Sequence, residues 1–165
     1  MNGTADETVD ATSLYVCPGF IDAHSHNDFF CDRADSEKFF SPFIRQGITT
    51  QITGNCSFSP FGTDENTPYR DKLGGGLFES EFTGSLASFR EKLTGRLHVN
   101  IVPLVGHGSV RAGICGYDST PLTPEQLKNE IEHVHQAMED GAFGGSMGFM
   151  YEPNRYATKE ELYAF

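Results

Sequence analysis

The chain has 165 residues, enough for one ordinary domain with a sizeable hydrophobic core. Its 12 Lys and Arg residues against 23 Asp and Glu residues leave a net charge of −11, which argues against nucleic-acid phosphates or an anionic membrane as partners. No segment approaches the ~18 consecutive apolar residues of a membrane span, and the polar, acidic start is not typical of a signal peptide, so we expect a cytoplasmic protein.

The first predicted strand ends at a pair of histidines. Residues 14–23 are mostly apolar, and an interrupting Pro-Gly pair places the strand itself over 19–24. His24 and His26 follow, one residue apart, in the sequence VCPGFIDAHSHND. Because residues i and i+2 of a strand point to the same side, both imidazoles could bind one metal ion from one face.

A helix and a second strand come next. Residues 35–46 carry apolar side chains on one helical face, and Gly47 fits a C-cap. Residues 48–56, ITTQITGNC, are rich in β-branched side chains and predict a short strand. Cys56 then stands at the end of that strand.

A long segment without a clear period separates the second strand from the next unit. Residues 57–85 are rich in Gly, Pro, Ser, Thr and Phe and predict a long loop, a feature that tends to be functional or mobile in compact domains. A short helix is predicted over 86–93. A third strand is predicted over 98–108, and it ends at Gly106-His107-Gly108.

The clearest helical pattern covers residues 124–140. Thr123 and Gln126 can form a capping box at its start. Residues 141–151 predict a fourth strand, and residues 158–165 open a further helix.

Four strands that alternate with helices predict an α/β fold with a parallel sheet, because parallel neighbours need a crossover connection. Polar and reactive side chains fall at the carboxyl ends of the predicted strands, where ligands and catalytic groups gather in such folds. These side chains are His24, His26, Cys56, His107 and Tyr151.

Each candidate also has a structural explanation. An exposed or hydrogen-bonded pair would account for His24 and His26, although the flanking PGFIDAHSH favours metal ligation. Cys56 alone could be a small buried hydrophobe, and its position after the second strand favours a ligand. His107, between two glycines, could be a tight-turn residue with positive φ or a substrate contact. Tyr151 could be half-buried packing or could contact a substrate hydroxyl.

The remaining cysteines and histidines are interpreted as structural. Cys17, Cys31 and Cys115 show no Cys-x-x-Cys spacing, and disulfides are rare in the cytosol, so we expect reduced thiols. His133 and His135 are assigned to the surface and edge of the predicted 124–140 helix.

Four segments carry the most specific signal in the sequence. They are VCPGFIDAHSHND, IRQGITTQITGNCSFSP, LVGHGSVR and MEDGAFGGSMGFMYEPNRYATKEEL, and they span most of residues 16–163. Together they resemble the N-acyl-D-amino-acid deacylase (D-aminoacylase) family of the amidohydrolase superfamily. PGFIDAHSH alone would indicate only the superfamily, which also includes dihydroorotases, hydantoinases and deaminases.

The resemblance implies a (β/α)₈ barrel of the TIM type with a small β domain. Residues 16–165 would be the first four βα units, with 57–85 as a long loop insertion, and residues 1–15 would be a remnant or linker of the small domain. On the same resemblance we expect this chain to be an N-terminal fragment, since a full barrel needs roughly 200–250 residues. An isolated half-barrel is expected to fold poorly and to be weakly active or inactive.

The resemblance also implies one or two zinc ions. His24 and His26 match the metal pair after the family's first strand, and Cys56 matches a cysteine ligand that replaces the carbamylated lysine of many relatives. A catalytic zinc needs a few N, O or S ligands and an open position. The family's other two zinc histidines and its proton-shuttling aspartate are expected beyond Phe165.

The activity implied is hydrolysis of N-acyl-D-amino acids, which are small molecules, to a carboxylate and a D-amino acid. Two alternatives stay open. A hydrolase of cyclic amides, like dihydroorotase or hydantoinase, is disfavoured by Cys56 and by the absence of lysine from GFMYEP at the end of the fourth strand. The other is a non-catalytic metal-binding half-barrel. Within 57–85, an apolar lid over the acyl group could be formed by Phe58, Phe61, Phe78 and Phe82.

Overall fold

The structure, a computed structural model, describes residues 3–62, 82 and 84–165. Four strands form one parallel sheet in the order β1-β2-β3-β4. The strands are β1 (Phe20–Asp22), β2 (Ile48–Thr53), β3 (Asn100–Gly106) and β4 (Gly144–Ser146). The sheet curls as half of a barrel, which confirms the predicted α/β half-barrel fold.

Five α-helices accompany the strands in the described part of the chain. They are α1 (Ser36–Ile44), α2 (Leu86–Leu93), α3 (His107–Cys115), α4 (Pro124–Glu139) and α5 (Lys159–Ala164). The bounds of α2 match those predicted. The predicted capping box of α4 is present: the Gln126 N–H donates to Thr123 Oγ1 at 3.2 Å, and the Thr123 N–H donates to Gln126 Oε1 at 2.9 Å.

The third strand–helix unit differs from the prediction. β3 ends at Gly106, and His107 is the first residue of α3, so a tight turn with positive φ at His107 is wrong. Glycines at 108 and 113 weaken the helical pattern of this segment in the sequence. Burial of residues 107–112 stabilises the helix instead.

The fourth strand is shorter than predicted. β4 covers only Gly144–Ser146, and Tyr151 lies in the turn that follows. A segment this rich in glycine offers few side chains to pack along a strand, which limits its length. The second strand likewise ends at Thr53, so Cys56 lies in the 3₁₀ turn Asn55–Ser57.

The core contains most of the phenylalanines assigned to a lid. Phe61 and Phe82 are buried in the main apolar cluster with Phe89 of α2. Phe58 is buried in a smaller cluster against which Cys56 packs. These three rings are therefore core residues, and the lid hypothesis is wrong for them; Phe78 lies outside the described residues.

The segment before β1 forms no regular element over residues 3–19. Its apolar side chains Leu14, Tyr15 and Val16 are exposed, as are Phe20 and Ile21 on β1 at the edge of the sheet. A domain boundary at residues 15 and 16 stays a prediction. None of the helices in the described ranges combines the length and apolar character required to cross a lipid bilayer.

Candidate metal centre

His24, His26 and Cys56 meet beyond the carboxyl ends of β1 and β2. Their ligand atoms, two imidazole nitrogens and one sulfur, all lie within 4.8 Å of one another. Cys56 Sγ is 3.3 Å from His24 Nε2. The two imidazole rings have centroids 5.5 Å apart and planes inclined at 76°. Because His24 is exposed and the other two are half-buried, the cluster opens to solvent on one side.

Two hydrogen bonds fix the loop that carries the histidines to the sheet. The His24 N–H donates to Asp22 Oδ1 at 3.1 Å, and the Ser25 N–H donates to the Ile52 carbonyl of β2 at 3.0 Å. These hydrogen bonds hold the two imidazoles beside the turn that carries Cys56.

The turn after β2 has an unusual backbone. Gly54 has φ 78°, Cys56 has φ 53° and Ser57 has φ 82°, all in the left-handed region. Residues other than glycine seldom adopt this conformation, and where they do the surrounding structure determines it, often at a functional site. Here it directs the Cys56 sulfur toward His24.

Three residues that the sequence did not single out lie in or beside this turn. Asn55 Nδ2 donates to the carbonyls of Ile52 at 2.8 Å and Ser25 at 3.3 Å, which joins the cysteine turn to the histidine loop. Ser146 of β4 hydrogen-bonds to the turn from the other side. Asp28 lies fully buried near the Gly54 backbone N–H.

Burial dominates the electrostatics of the site. Desolvation, with a smaller contribution from the charge of His24, lowers the pKa of His26, which favours the neutral imidazole that binds metals. Desolvation raises the pKa of the Asp28 carboxyl to about 8, although backbone N–H groups and the Thr53 hydroxyl partly oppose it. Burial also raises the pKa of the Cys31 thiol, in keeping with a structural cysteine.

Tyr151 lies near Cys56. Its side chain is 43% exposed, and its ring packs edge-on against Phe58 with centroids 5.1 Å apart. The turn that carries it passes so close to Cys56 that a Cβ at Gly148 would lie 2.5 Å from the Cys56 carbonyl oxygen. The tyrosine is thus placed beside the cysteine ligand candidate, with part of its surface accessible.

His107 lies in a separate buried cluster. Its side chain has no exposed surface, and Nε2 is 3.1 Å from Oε1 of both Glu130 and Glu161. The ring of Phe165 covers the imidazole at a centroid distance of 4.9 Å. These contacts favour a structural role, and substrate binding by His107 stays a prediction.

Arg111 completes the charges of that cluster. Its Nη1 donates to both carboxylate oxygens of Glu161 at 2.8 Å. Burial alone would lower the pKa of His107, but the hydrogen bonds and charges of Glu130 and Glu161 outweigh it and raise the pKa. Burial alone would raise the pKa of Glu161, but His107 and Arg111 lower it. These side chains form a buried charge network: α3 contributes His107 and Arg111, α4 contributes Glu130, and α5 contributes Glu161.

No model of a known protein family matches the chain, but individual proteins do. The D-aminoacylase of Alcaligenes xylosoxydans xylosoxydans is 33% identical over 165 residues, which cover 98% of this chain and 33% of that relative. The N-acyl-D-aspartate deacylase of the same organism is 34% identical over 161 residues, covering 93% and 30%. A solved D-aminoacylase structure, described for its binuclear metal center, superposes with a TM-score of 0.73 at 30% identity, over 89% of this chain and 31% of that one.

This chain belongs to the D-aminoacylase family of amidohydrolases. It spans about a third of the length of the D-aminoacylase relatives that it matches. A second solved neighbour is the N-acyl-D-glutamate deacylase of Bordetella bronchiseptica, with a TM-score of 0.70 at 30% identity over 89% of this chain and 30% of that one. That structure holds zinc and a phosphonate inhibitor that mimics the tetrahedral intermediate of the reaction.

Proposed function

We propose that this chain supplies part of the metal site of a zinc-dependent hydrolase, which converts N-acyl-D-amino acids to a carboxylate and a D-amino acid. One observation carries the proposal. The ligand atoms of His24, His26 and Cys56 converge within 4.8 Å at the carboxyl edge of a parallel half-barrel. That edge is where the active sites of such barrels are built.

The donor set fits zinc. Imidazole nitrogen and cysteine sulfur are both ordinary zinc ligands, and one or two ions could share three such donors with ligands from elsewhere. A zinc ion bound here would lower the pKa of a coordinated water to about 7 and polarise an amide carbonyl. The exposed side of His24 leaves an approach for the substrate to the ligand cluster.

The substrate class rests on the relatives and on the surroundings of the site. Relatives are named for N-acyl-D-aspartate and N-acyl-D-glutamate, both small acidic molecules. In this proposal Tyr151 contacts the substrate beside Cys56, which its packing against Phe58 and its partial exposure support. We also propose that residues 1–15 and 16–165 are separate parts of the protein and that its location is cytoplasmic. The proposed hydrolase has no nucleic-acid or membrane partner, and the net charge of −11 supports this.

Hydrolysis of paired enantiomers tests the proposal. The hydrolase that contains this chain is purified and supplied with N-acetyl-D-amino acids, their L-enantiomers and a cyclic amide such as a hydantoin, and the free amine or ring-opened product is measured. We expect hydrolysis of the D-enantiomers that a chelator abolishes and zinc restores. A Cys56→Ala variant should lose at least about 10-fold in activity, the lower end of what disturbing a metal site costs.

The exposed cysteine provides the control. Cys17 is not part of the ligand cluster, and Cys17→Ala should keep full activity. Hydrolysis that survives chelation would contradict the metal-dependent mechanism. A preference for the cyclic amide would contradict the substrate class.

A further inference from the structure

The Cys56 turn has contacts from β4 as well as from its own strand. Ser146, the last residue of β4, donates its hydroxyl to the Gly54 carbonyl and accepts from the Ser57 N–H at 3.0 Å. One hydroxyl therefore bridges the two ends of the turn, with Cys56 between them. β4 pairs with β3 at Gly106 opposite Ser146, so the hydroxyl is carried by the sheet itself.

We propose that Ser146 is a positioning residue for the metal site, which keeps the Cys56 sulfur directed at the histidine pair. The inference rests on the metal-binding function proposed above and concerns what holds one of its ligands in place. Ser146 itself is not a metal ligand. Its effect on the metal passes through the backbone of the turn.

The backbone conformation supplies the physical reason. Cys56 and Ser57 both have left-handed φ values, which side chains disfavour and which persist only where neighbouring groups determine them. Without the hydroxyl of Ser146, the Gly54 carbonyl and the Ser57 N–H lose the partner that fixes both flanks of Cys56. The turn can then relax toward ordinary φ values, and the sulfur moves away from His24.

Metal affinity is sensitive to such a displacement. Productive metal sites hold their ligands to within about 0.5 Å, and groups that orient a ligand typically contribute about 10- to 100-fold to metal affinity. Asn55 already fixes the turn to the histidine loop on the β2 side. Ser146 provides the corresponding support from β4, 89 residues away from Ser57 in the sequence.

Cobalt substitution tests the role of Ser146 directly. Co²⁺ bound to a cysteine thiolate gives a near-ultraviolet charge-transfer band that imidazole ligands do not give, so the band reports thiolate ligation. The purified protein is titrated with Co²⁺, and the absorbance lost in Cys56→Ser is the part that comes from Cys56 rather than from the three other free cysteines. We expect Ser146→Ala and Ser146→Gly to weaken Co²⁺ binding about 10- to 100-fold and to lose most of the band at saturation. Ser146→Thr, which keeps a hydroxyl, should retain it.

Ser109 provides a matched control. Its hydroxyl donates to the Ser59 carbonyl and accepts from the Ser59 N–H, both at 2.8 Å, so it makes the same pair of bonds just beyond the Cys56 turn. Ser109→Ala should destabilise the fold without weakening the band in the protein that remains folded. Circular dichroism of each variant gives its folded fraction.

The possible outcomes distinguish a failure of the positioning role of Ser146 from a failure of the proposed metal site. A folded Ser146→Ala variant with the wild-type band and affinity would overturn the positioning role. So would an equal loss of the band in Ser109→Ala, because it would reduce the effect to general stability. Absence of any cobalt–thiolate band in the wild type would contradict the proposed metal site itself.

Discussion

Single residues control the shape of the cysteine turn, and Gly54 is the most constrained of them. Its φ of +78° lies in the left-handed region, and a Cβ built there would lie 2.0 Å from the carbonyl oxygen of Leu104 on β3. A side chain at this position is therefore excluded twice, by backbone conformation and by the neighbouring strand. The close approach lets the turn and β3 share the carboxyl edge of the sheet.

Gly54→Ala should therefore destabilise the fold more than the same substitution at a glycine that has a similar φ but space for a Cβ. Gly95 offers that comparison, because its φ is +74° and a Cβ at that position would have no neighbouring atom within 4 Å. We expect Gly95→Ala to lower the free energy of unfolding by about 1–2 kcal/mol. Gly54→Ala should lower it by about 1–3 kcal/mol more, as overpacking does. Urea denaturation measures both, and equal losses would contradict the crowding.

The sequence predicts the metal-ligand candidates better than it predicts the residues that hold those candidates in position. His24, His26 and Cys56 follow recognisable strands, and the parallel arrangement brings strand ends together. Ser146 and Asn55 act through contacts to residues 30 to 92 positions away, which no local pattern encodes. His107 has a strand-end position in the sequence, yet burial against two glutamates of later helices decides its environment.

At the scale of elements, capped helices were predictable and the segments rich in glycine were not. α2 and α4 combine apolar periodicity with a capping residue at the N-terminus, so local sequence and tertiary packing agree. α3 and β4 instead contain glycines that weaken the local signal. Their structure depends on burial and strand pairing, which are tertiary effects.

The capping box of α4 gives a prediction at this scale. Thr123→Ala removes the acceptor for the Gln126 N–H, and we expect the free energy of unfolding to fall by about 1 kcal/mol, within the range of 0.5–2. Thr4→Ala, in the exposed segment before β1, should change it by less than about 0.5 kcal/mol. Thermal and urea unfolding compare the two variants, and a Thr123→Ala protein as stable as Thr4→Ala would show that the box contributes nothing.

At the scale of the whole molecule, the buried charge network joins the later helices. Arg111 belongs to α3, Glu130 to α4 and Glu161 to α5, and His107 lies between the two glutamates. Buried charges of this kind are stable only when paired, so loss of one partner leaves an uncompensated charge. The network therefore links the packing of three helices to the protonation of His107.

Stability should depend on pH through this network. The pKa of His107 is raised above its ordinary 6.5. The stability that protonated His107 contributes is therefore complete below pH 6.5 and is lost as pH rises through the raised pKa. The pKa of Glu161 is lowered from its ordinary 4.5. The stability that ionised Glu161 contributes is therefore present above pH 4.5 and is lost as pH falls through the lowered pKa. We expect the network to stabilise the fold most between about pH 4.5 and 6.5.

Two histidine substitutions measure this dependence by urea denaturation across the pH range. His107→Gln should lower the free energy of unfolding by about 3–5 kcal/mol near pH 6 and by less at higher pH, because the charged imidazole it replaces is lost there anyway. His135→Gln, on the exposed face of α4, should leave the profile unchanged. A His107→Gln effect that is the same at every pH would contradict a protonated His107.

Zinc content per chain tests the central claim most directly. Elemental analysis compares the wild-type protein with a His24→Ala/His26→Ala/Cys56→Ala variant. A second variant, His133→Ala/His135→Ala/Cys115→Ala, removes the same residue types elsewhere. Stoichiometric zinc in the wild type and in the second variant, but not in the first, is the predicted result. No zinc in the wild type, or equal zinc in all three proteins, would contradict a metal site at His24, His26 and Cys56.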